Sequence, residues 1–306
     1  MLVADTNCDT LWALAKGNDP ASLMVSKEKM EEGNVSLQTF AMFTGSKGVN
    51  GTPYMDAVNM MACMEKTGVP MILGKLPEEL PETPHGIISI EGGEALEGKI
   101  ERLYEFYEKT GLRMIALTWN FENEIGYPAK LGPENGLKPF GIQLIKEMDK
   151  LGIYADVSHL NERGFWDIVE NMNLPPIASH SNARMLCDVP RNLWDEQIKA
   201  IIEKKGYIGI NFYTHFLVKE GEACIDDVIR HIDYICDLGG IDVLGFGSDF
   251  DGIEKWPVGL EDSSRFPALI EALLKHGYSE ENVEKIACKN LWRLLKKADD
   301  MRTYEA

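Results

Sequence analysis

Two histidines, His159 and His180, each close a short apolar run, in Gly152-Ile153-Tyr154-Ala155-Asp156-Val157-Ser158-His159 and Pro175-Pro176-Ile177-Ala178-Ser179-His180. Asp9, Glu91 and Asp249 end comparable runs. A lone histidine is more often a hydrogen-bonded structural residue than a ligand, so any chemistry here depends on convergence. Brought together, three carboxylates and two imidazoles would repel or desolvate one another unless something positive sat between them. A divalent metal is the economical solution. Nitrogen and oxygen donors without a thiolate suit zinc, with manganese or another transition metal also open, and a bridging carboxylate would let two ions lie ~3.5 Å apart.

The elements that must position these groups follow from the spacing. A short apolar run followed by a helical pattern reads as a buried parallel strand. Eight such runs occur: 2–9, 35–43, 86–91, 114–120, 152–159, 175–180, 206–211 and 243–249. Amphipathic stretches at 56–66, 99–109, 138–150, 161–171, 194–204, 225–237 and 264–276 alternate with them, and a last helix is expected over 279–297. This alternation predicts an α/β fold of the (β/α)8 TIM-barrel type, with Asp9, Glu91, His159, His180 and Asp249 entering one mouth from strands one, three, five, six and eight. The 306 residues suit one barrel with insertions, and no linker, low-complexity tract or repeat divides them, so residues 1–306 are expected to form a single domain. The irregular stretches near 44–54, 76–85 and 121–137 read as loops, the last overhanging the active face.

Composition sets the outer limits. Hydrophobic residues make up 44% and charged residues 26%, the balance of a soluble globular chain. No run approaches the ~18 apolar residues of a membrane span, and the amino terminus enters a strand directly without a signal core, so no membrane partner and a cytoplasmic address are expected. A net charge of −18 repels phosphate backbones and argues against nucleic acid as a partner. The six cysteines, at 8, 63, 187, 224, 236 and 288, form no CxxC; Cys187 and Cys224 follow adjacent strands, but spacing alone establishes no bridge. His85, His231 and His276 lie without carboxylate company in the sequence, His215 is expected to be peripheral, and Gly92-Gly93, Asp251 and Gly252 read as turn residues.

Ordered motifs run through nearly the whole chain, from Asp5-Thr6-Asn7-Cys8-Asp9-Thr10 to Asn290-Leu291. Between them stand Ser89-Ile90-Glu91-Gly92-Gly93, Asp156-Val157-Ser158-His159, Ser179-His180-Ser181-Asn182-Ala183-Arg184, Pro190-Arg191-Asn192, Asn211-Phe212-Tyr213, Gly247-Ser248-Asp249-Phe250-Asp251-Gly252 and Gly259-Leu260-Glu261-Asp262. In these the chain resembles the membrane-dipeptidase (renal-type dipeptidase) family of metallopeptidases, within the amidohydrolase superfamily of metal-dependent barrels. The resemblance implies metal ligation by Asp9, Glu91, His159 and His180, with Glu91 bridging two ions. It also implies proton transfer by Asp249, a substrate carboxylate held by Arg191, a substrate contact at Tyr213, and a homodimer.

Two positions depart from the family pattern. Where the family has H-x-D, this chain has Asn7-Cys8-Asp9, and an amide oxygen is a weaker donor to zinc than an imidazole nitrogen, which makes Asn7 a weak or absent ligand. Where the mammalian-type pattern has a histidine near the substrate, this chain has Trp119, whose indole N–H donates a hydrogen bond but carries no proton in exchange. The expected activity is metal-assisted hydrolysis of a small dipeptide amide, with Asp249 relaying the proton of a metal-activated water and Arg191 clamping the terminal carboxylate. The rival readings are a metal-poor homologue that binds a peptide-like ligand without turnover, and a related hydrolase acting on another small amide or lactam.

Overall fold

The structure, a computed structural model, describes residues 1–45 and 51–302. Residues 46–50 of the expected 44–54 loop lie outside the described residues. Eight parallel strands close into a barrel: β1 (Val3–Asp5), β2 (Val35–Phe43), β3 (His85–Glu91), β4 (Met114–Ala116), β5 (Tyr154–Asp156), β6 (Ile177–Ala178), β7 (Tyr207–Ile210) and β8 (Leu244–Phe246). Each pairs with the next, and Asp5 opposite Phe246 closes β1 onto β8. The (β/α)8 fold is therefore present, with ladders shorter than the apolar runs. β5 ends at Asp156 and β6 at Ala178, so His159 and His180 stand just beyond their strands.

The outer helices bury the stripes that their periodicity marks: Leu103 and Phe106 on Ile100–Thr110, Leu144, Ile145 and Met148 on Pro139–Lys150, and Val228, Ile232 and Ile235 on Ile225–Asp237. Boundaries shift where end chemistry decides. The helix expected over 56–66 runs instead over Pro53–Met61, because the Thr52 hydroxyl caps it by accepting from the Met55 N–H and Pro53 needs no partner at the first turn. The last helical stretch is interrupted by a π-helical turn at Lys285–Lys289, after which Asn290 donates to the carbonyls of Ile241 and Leu244 at 2.8 Å each and ties the C-terminal helix to the entry of β8.

The lower end of the barrel is closed by the same C-terminal segment. Tyr154 donates to the Leu294 carbonyl at 2.6 Å, Arg113 pairs with Asp299 at 2.8 Å with both side chains buried, and the Arg302 guanidinium donates to the carbonyls of Gly111, Leu112 and Gly152. At the upper end, Phe212, Phe246, Phe250 and Phe266 pack through tilted and edge-to-face contacts and join β7 and β8 to helix Phe266–His276.

The upper rim is drawn tight around one carbonyl, that of Ser179. The Thr6 hydroxyl lies 2.5 Å from it, and the backbones of Gly209 and Gly247 press so close that a Cβ would fall 2.0 and 1.9 Å from the same oxygen. Only residues without a side chain let β7 and β8 approach here. Gly247→Ala must therefore move the rim. We expect a loss of roughly 1–3 kcal/mol, read as a lowered Tm in thermal denaturation, whereas an unchanged Tm would show that the rim yields freely.

Candidate metal centre

Five side chains that the sequence places at strand ends meet in the barrel mouth. Glu91 ends β3, and its Oε1 lies 3.0 Å from His159 Nε2 and 3.6 Å from His180 Nε2; the two Nε2 atoms face each other at 3.1 Å. One ligand atom from each of Glu91, His159 and His180 fits within 4.8 Å of the others, and the same holds for Asp9, Glu91 and Asp249. Glu91 is common to both groups. All but Asp249 are buried, and Asp249 is partly so.

The donor set fits a cation on two independent grounds. Asp9 is 6% exposed, and its Oδ1 has no hydrogen-bond partner, an arrangement that costs free energy unless a positive group occupies the space. Gly252 supplies the second ground, because a Cβ there would lie 2.7 Å from Asp9 Oδ2 and 3.0 Å from Asp249 Oδ1. The space between those carboxylates exists because residue 252 has no side chain. Glycine there does more than permit a turn.

Electrostatics agree with this geometry. Burial, then Glu91 and Asp249, push the Asp9 carboxyl well above its usual range, and Glu91 is raised by burial against a lowering hydrogen bond from Asn7. Asp249 is pushed up to about 7 by burial and by Glu91, against the hydrogen bond from Asn211 and the charge of Arg191. Burial and Arg191 hold both His159 and His180 well below the ordinary imidazole value. Neutral imidazoles have free lone pairs for a metal.

The outer nitrogens of the two imidazoles are held by residues the sequence reading passed over. His180 Nδ1 lies 2.7 Å from the Ser179 hydroxyl, which is itself bonded to Asp156; Asp156 Oδ1 accepts from the Ser158 and Ser179 N–H groups at 2.9 Å each. His159 Nδ1 lies 3.2 Å from Asn120 Oδ1. Such partners fix ring orientation and tautomer. Asp156 and Ser179 are polar residues in otherwise apolar strand ends, and Asn120 is the polar residue that ends the 114–120 run; those were the available signals. The 121–137 loop also steadies His159. Its Ala129 N–H donates to the His159 carbonyl at 2.7 Å, and Asn161 donates to the carbonyls of Gly132 and Asn135.

Backbone conformation is specialised at the same points. His159, Asp249 and Asp251 have φ values of +70°, +65° and +63°, in the left-handed region uncommon for residues with a side chain. Asp251 helps hold that turn by accepting from the Thr10 hydroxyl and from the N–H groups of Met24 and Val25.

The remaining candidates surround the centre. Asn7 turns its amide nitrogen inward, donating to Glu91 Oε2 at 3.2 Å and Asp249 Oδ1 at 3.1 Å, while Asn211 donates to Asp249 Oδ2 at 3.0 Å. Asn7 thus bridges two carboxylates rather than offering its oxygen as a ligand. Arg191 approaches from the His180 side, donating to the His180 carbonyl at 3.3 Å, and its buried Nε has no partner. Trp119 packs edge-on to Phe43, with ring centroids 5.0 Å apart, and stands 6.1 Å from His159. The Tyr213 hydroxyl donates to Glu254 at 2.7 Å, and His215 packs against the Tyr213 ring without reaching the donor set. A cavity of about 610 Å³ is lined by Asp9, Glu91, Trp119, His159, Tyr213 and Asp249 among others.

Outside the site, one expectation is corrected: His276 does have carboxylate company, with Asp233 at 2.8 Å, brought there by the turn after helix Phe266–His276. Buried His231 bonds the Ala183 N–H and the Leu217 carbonyl. All six cysteines are free, and the Cys187 thiol donates to the His215 carbonyl.

Over residues 1–306 the chain matches the family model of the membrane dipeptidases, peptidase family M19. The chain belongs to this family. It is 35% identical over 219 residues to an uncharacterised dipeptidase of Schizosaccharomyces pombe, a match covering 69% of this chain and 52% of that protein. Among solved structures it is similar to a dipeptidase of family M19, at 28% identity with a TM-score of 0.88, covering 97% of this chain and 98% of the other. It is also similar to a metallopeptidase of Rhodobacter sphaeroides liganded with a phosphinate mimic of the dipeptide L-Ala-D-Ala, at 27% identity with a TM-score of 0.87, covering 97% and 99%. Membership in this family of metallo-dipeptidases implies a divalent metal, and the convergent carboxylates and imidazoles are the residues suited to hold it.

If the family's metal is held by His180 Nε2, the Ser179 hydroxyl is what aims that nitrogen. Ser179→Ala should weaken divalent-metal affinity by roughly tenfold to a hundredfold in a chelator-competition titration. An unchanged titration would show that His180 is aimed by packing alone.

Proposed function

We propose that the protein is a single-domain, zinc-dependent dipeptidase that cleaves the amide bond of small dipeptides. The convergence of Glu91, His159 and His180 beside Asp249, at the wall of an open cavity, carries this reading. The donors are nitrogen and oxygen without thiolate, which suits zinc, with another transition metal as the competing choice. When bound, such an ion supplies Lewis acidity, polarising a carbonyl and acidifying a water.

The chain's own residues supply the rest. Asp249, held by Asn7 on one oxygen and Asn211 on the other, faces the centre, where it takes a proton from the attacking water and returns it to the leaving amine. Arg191, anchored on the His180 carbonyl, lines the smaller cavity beside the centre and is the cation available to a substrate carboxylate. Tyr213 and Trp119 flank the substrate, and the Trp119 N–H is the available donor toward developing negative charge. The dipeptide mimic bound by the Rhodobacter sphaeroides peptidase supports the substrate class. Among the described residues no helix is long and apolar enough to cross a membrane, which supports a cytoplasmic enzyme, and family resemblance supports a homodimer.

Asn7 favours unequal metal sites. Its amide N–H groups already bridge Glu91 and Asp249, so the Glu91–His159–His180 group should fill first and the Asp9–Glu91–Asp249 group should stay labile. Native mass spectrometry after dialysis should then show a dimer, near twice the 34.3 kDa chain, with about one tightly held ion per chain. Two ions of equal retention would refute the asymmetry. A chain with no retained ion and no turnover of any dipeptide would instead support the metal-poor binding homologue.

Asp249 separates catalysis from binding. Asp249→Asn should lower kcat for the best dipeptide by on the order of 10²–10⁴ while its KM changes little. A folded, metal-loaded variant working at the parent rate would refute the proton-transfer role.

A further inference from the structure

We propose that the substrate's amino-terminal residue is aromatic or bulky and apolar, seated on a wall formed by Trp119, Phe43 and Trp12. The assignment rests on the dipeptidase reading and adds to it which end of the dipeptide carries the large side chain.

Two cavities meet at His159, and they have opposite character. The larger, about 610 Å³, is lined on one side by Asp9, Asp249 and Glu254, and among the described residues no lysine or arginine lines it. The smaller, about 260 Å³, is lined by Lys130, Arg184 and Arg191 against one carboxylate, Glu162, which pairs with Arg184. A dipeptide at neutral pH carries an ammonium at one end and a carboxylate at the other. Charge complementarity therefore sets its direction, with the ammonium in the acidic chamber and the carboxylate in the basic one. The peptide carbonyl then falls between them, beside His159.

With direction fixed, the walls of the larger chamber choose the first side chain. Trp12 and Phe43 have ring centroids 5.8 Å apart, Phe43 and Trp119 5.0 Å, and Trp119 and Phe121 5.7 Å, a continuous row of rings. The first two contacts are edge-to-face, so each ring is braced by the next. Phe121, at the end of the row, is 45% exposed. An aromatic row that is both braced and open to a cavity has a face left for an apolar guest. An acidic first side chain would meet Asp9, Asp249 and Glu254 at short range. A large apolar second side chain would have to enter the smaller chamber beside Lys130 and Arg191, displacing water from their charges without replacing it.

The test compares kcat/KM of the zinc-loaded protein on three dipeptides, Phe-Ala, Ala-Ala and Ala-Phe. Phe-Ala should exceed each of the others by at least about tenfold, the scale on which apolar pockets discriminate side chains. Phe43→Ala should bring the Phe-Ala to Ala-Ala ratio down toward one; should that variant not fold, Trp12→Ala reads the same wall. Equal values for Phe-Ala and Ala-Ala, a preference for Ala-Phe, or an unchanged ratio in the folded wall variant would overturn the assignment while leaving dipeptide hydrolysis standing. Failure to hydrolyse any of the three would remove the dipeptidase reading and the assignment together.

Discussion

Asp9, Glu91 and Asp249 are held within a few ångströms of one another in a pocket largely closed to water, and the rest of the barrel mouth answers to that repulsion. Like charges at such range, away from solvent, drive carboxylates to keep protons or to seek a cation. Without the metal the chain gives them only partial relief, two amides and one guanidinium, and one Asp9 oxygen receives nothing. A loose loop would relax such an arrangement. It persists because Glu91 ends β3 while Asp9 and Asp249 stand just past β1 and β8 of a closed barrel, with rim backbones packed so tightly around the Ser179 carbonyl that glycine is required on two of them.

That constraint explains which features the sequence disclosed. Barrel strands buried on both faces read as unbroken apolar runs, so a polar residue ending each run was conspicuous, and Asp9, Glu91, His159, His180 and Asp249 all came together as the alternation required. The ladders ended earlier than the runs because hydrogen-bonded pairing stops before apolar composition does. His159 and Asp249 lie beyond their ladders in left-handed backbone, a conformation that residue type alone gives no reason to expect of histidine. Partners contributed across the mouth were the least legible. Asn120 ends its own run, yet that it reaches His159 across the mouth from the neighbouring strand is set by barrel geometry rather than by local sequence.

Asn7 and Trp119 stand where the family pattern has imidazoles, and they resolve differently. Asn7 keeps a place beside the metal ligands but reverses polarity, because its nitrogen, a donor, faces carboxylates that an ion would otherwise bridge. A neutral amide cannot replace a divalent charge, and Asn7 reaches Glu91 and Asp249 while the buried Asp9 Oδ1 is left without a hydrogen-bond partner. Trp119 gives up proton exchange, keeping only an indole N–H, and its ring joins Phe43 and Phe121 in an apolar wall. One change alters how charge is held; the other alters what the mouth can accommodate.

Arg191 connects these two consequences. Burial, reinforced by the Arg191 charge, lowers the basicity of His159 and His180 and so keeps them neutral for metal binding, and the same charge partly offsets the burial and repulsion that raise Asp249. The same guanidinium, anchored on the His180 carbonyl, lines the smaller chamber and gives it positive character. A largely desolvated cation of this kind is costly unless its neighbours are negative, and Asp249, Glu91 and Asp156 supply that compensation. The acid cluster therefore stabilises the arginine that polarises the cavity, and the arginine in turn permits the acid cluster. Ligand geometry and substrate direction then depend on one electrostatic balance, and a change to either side of it disturbs both.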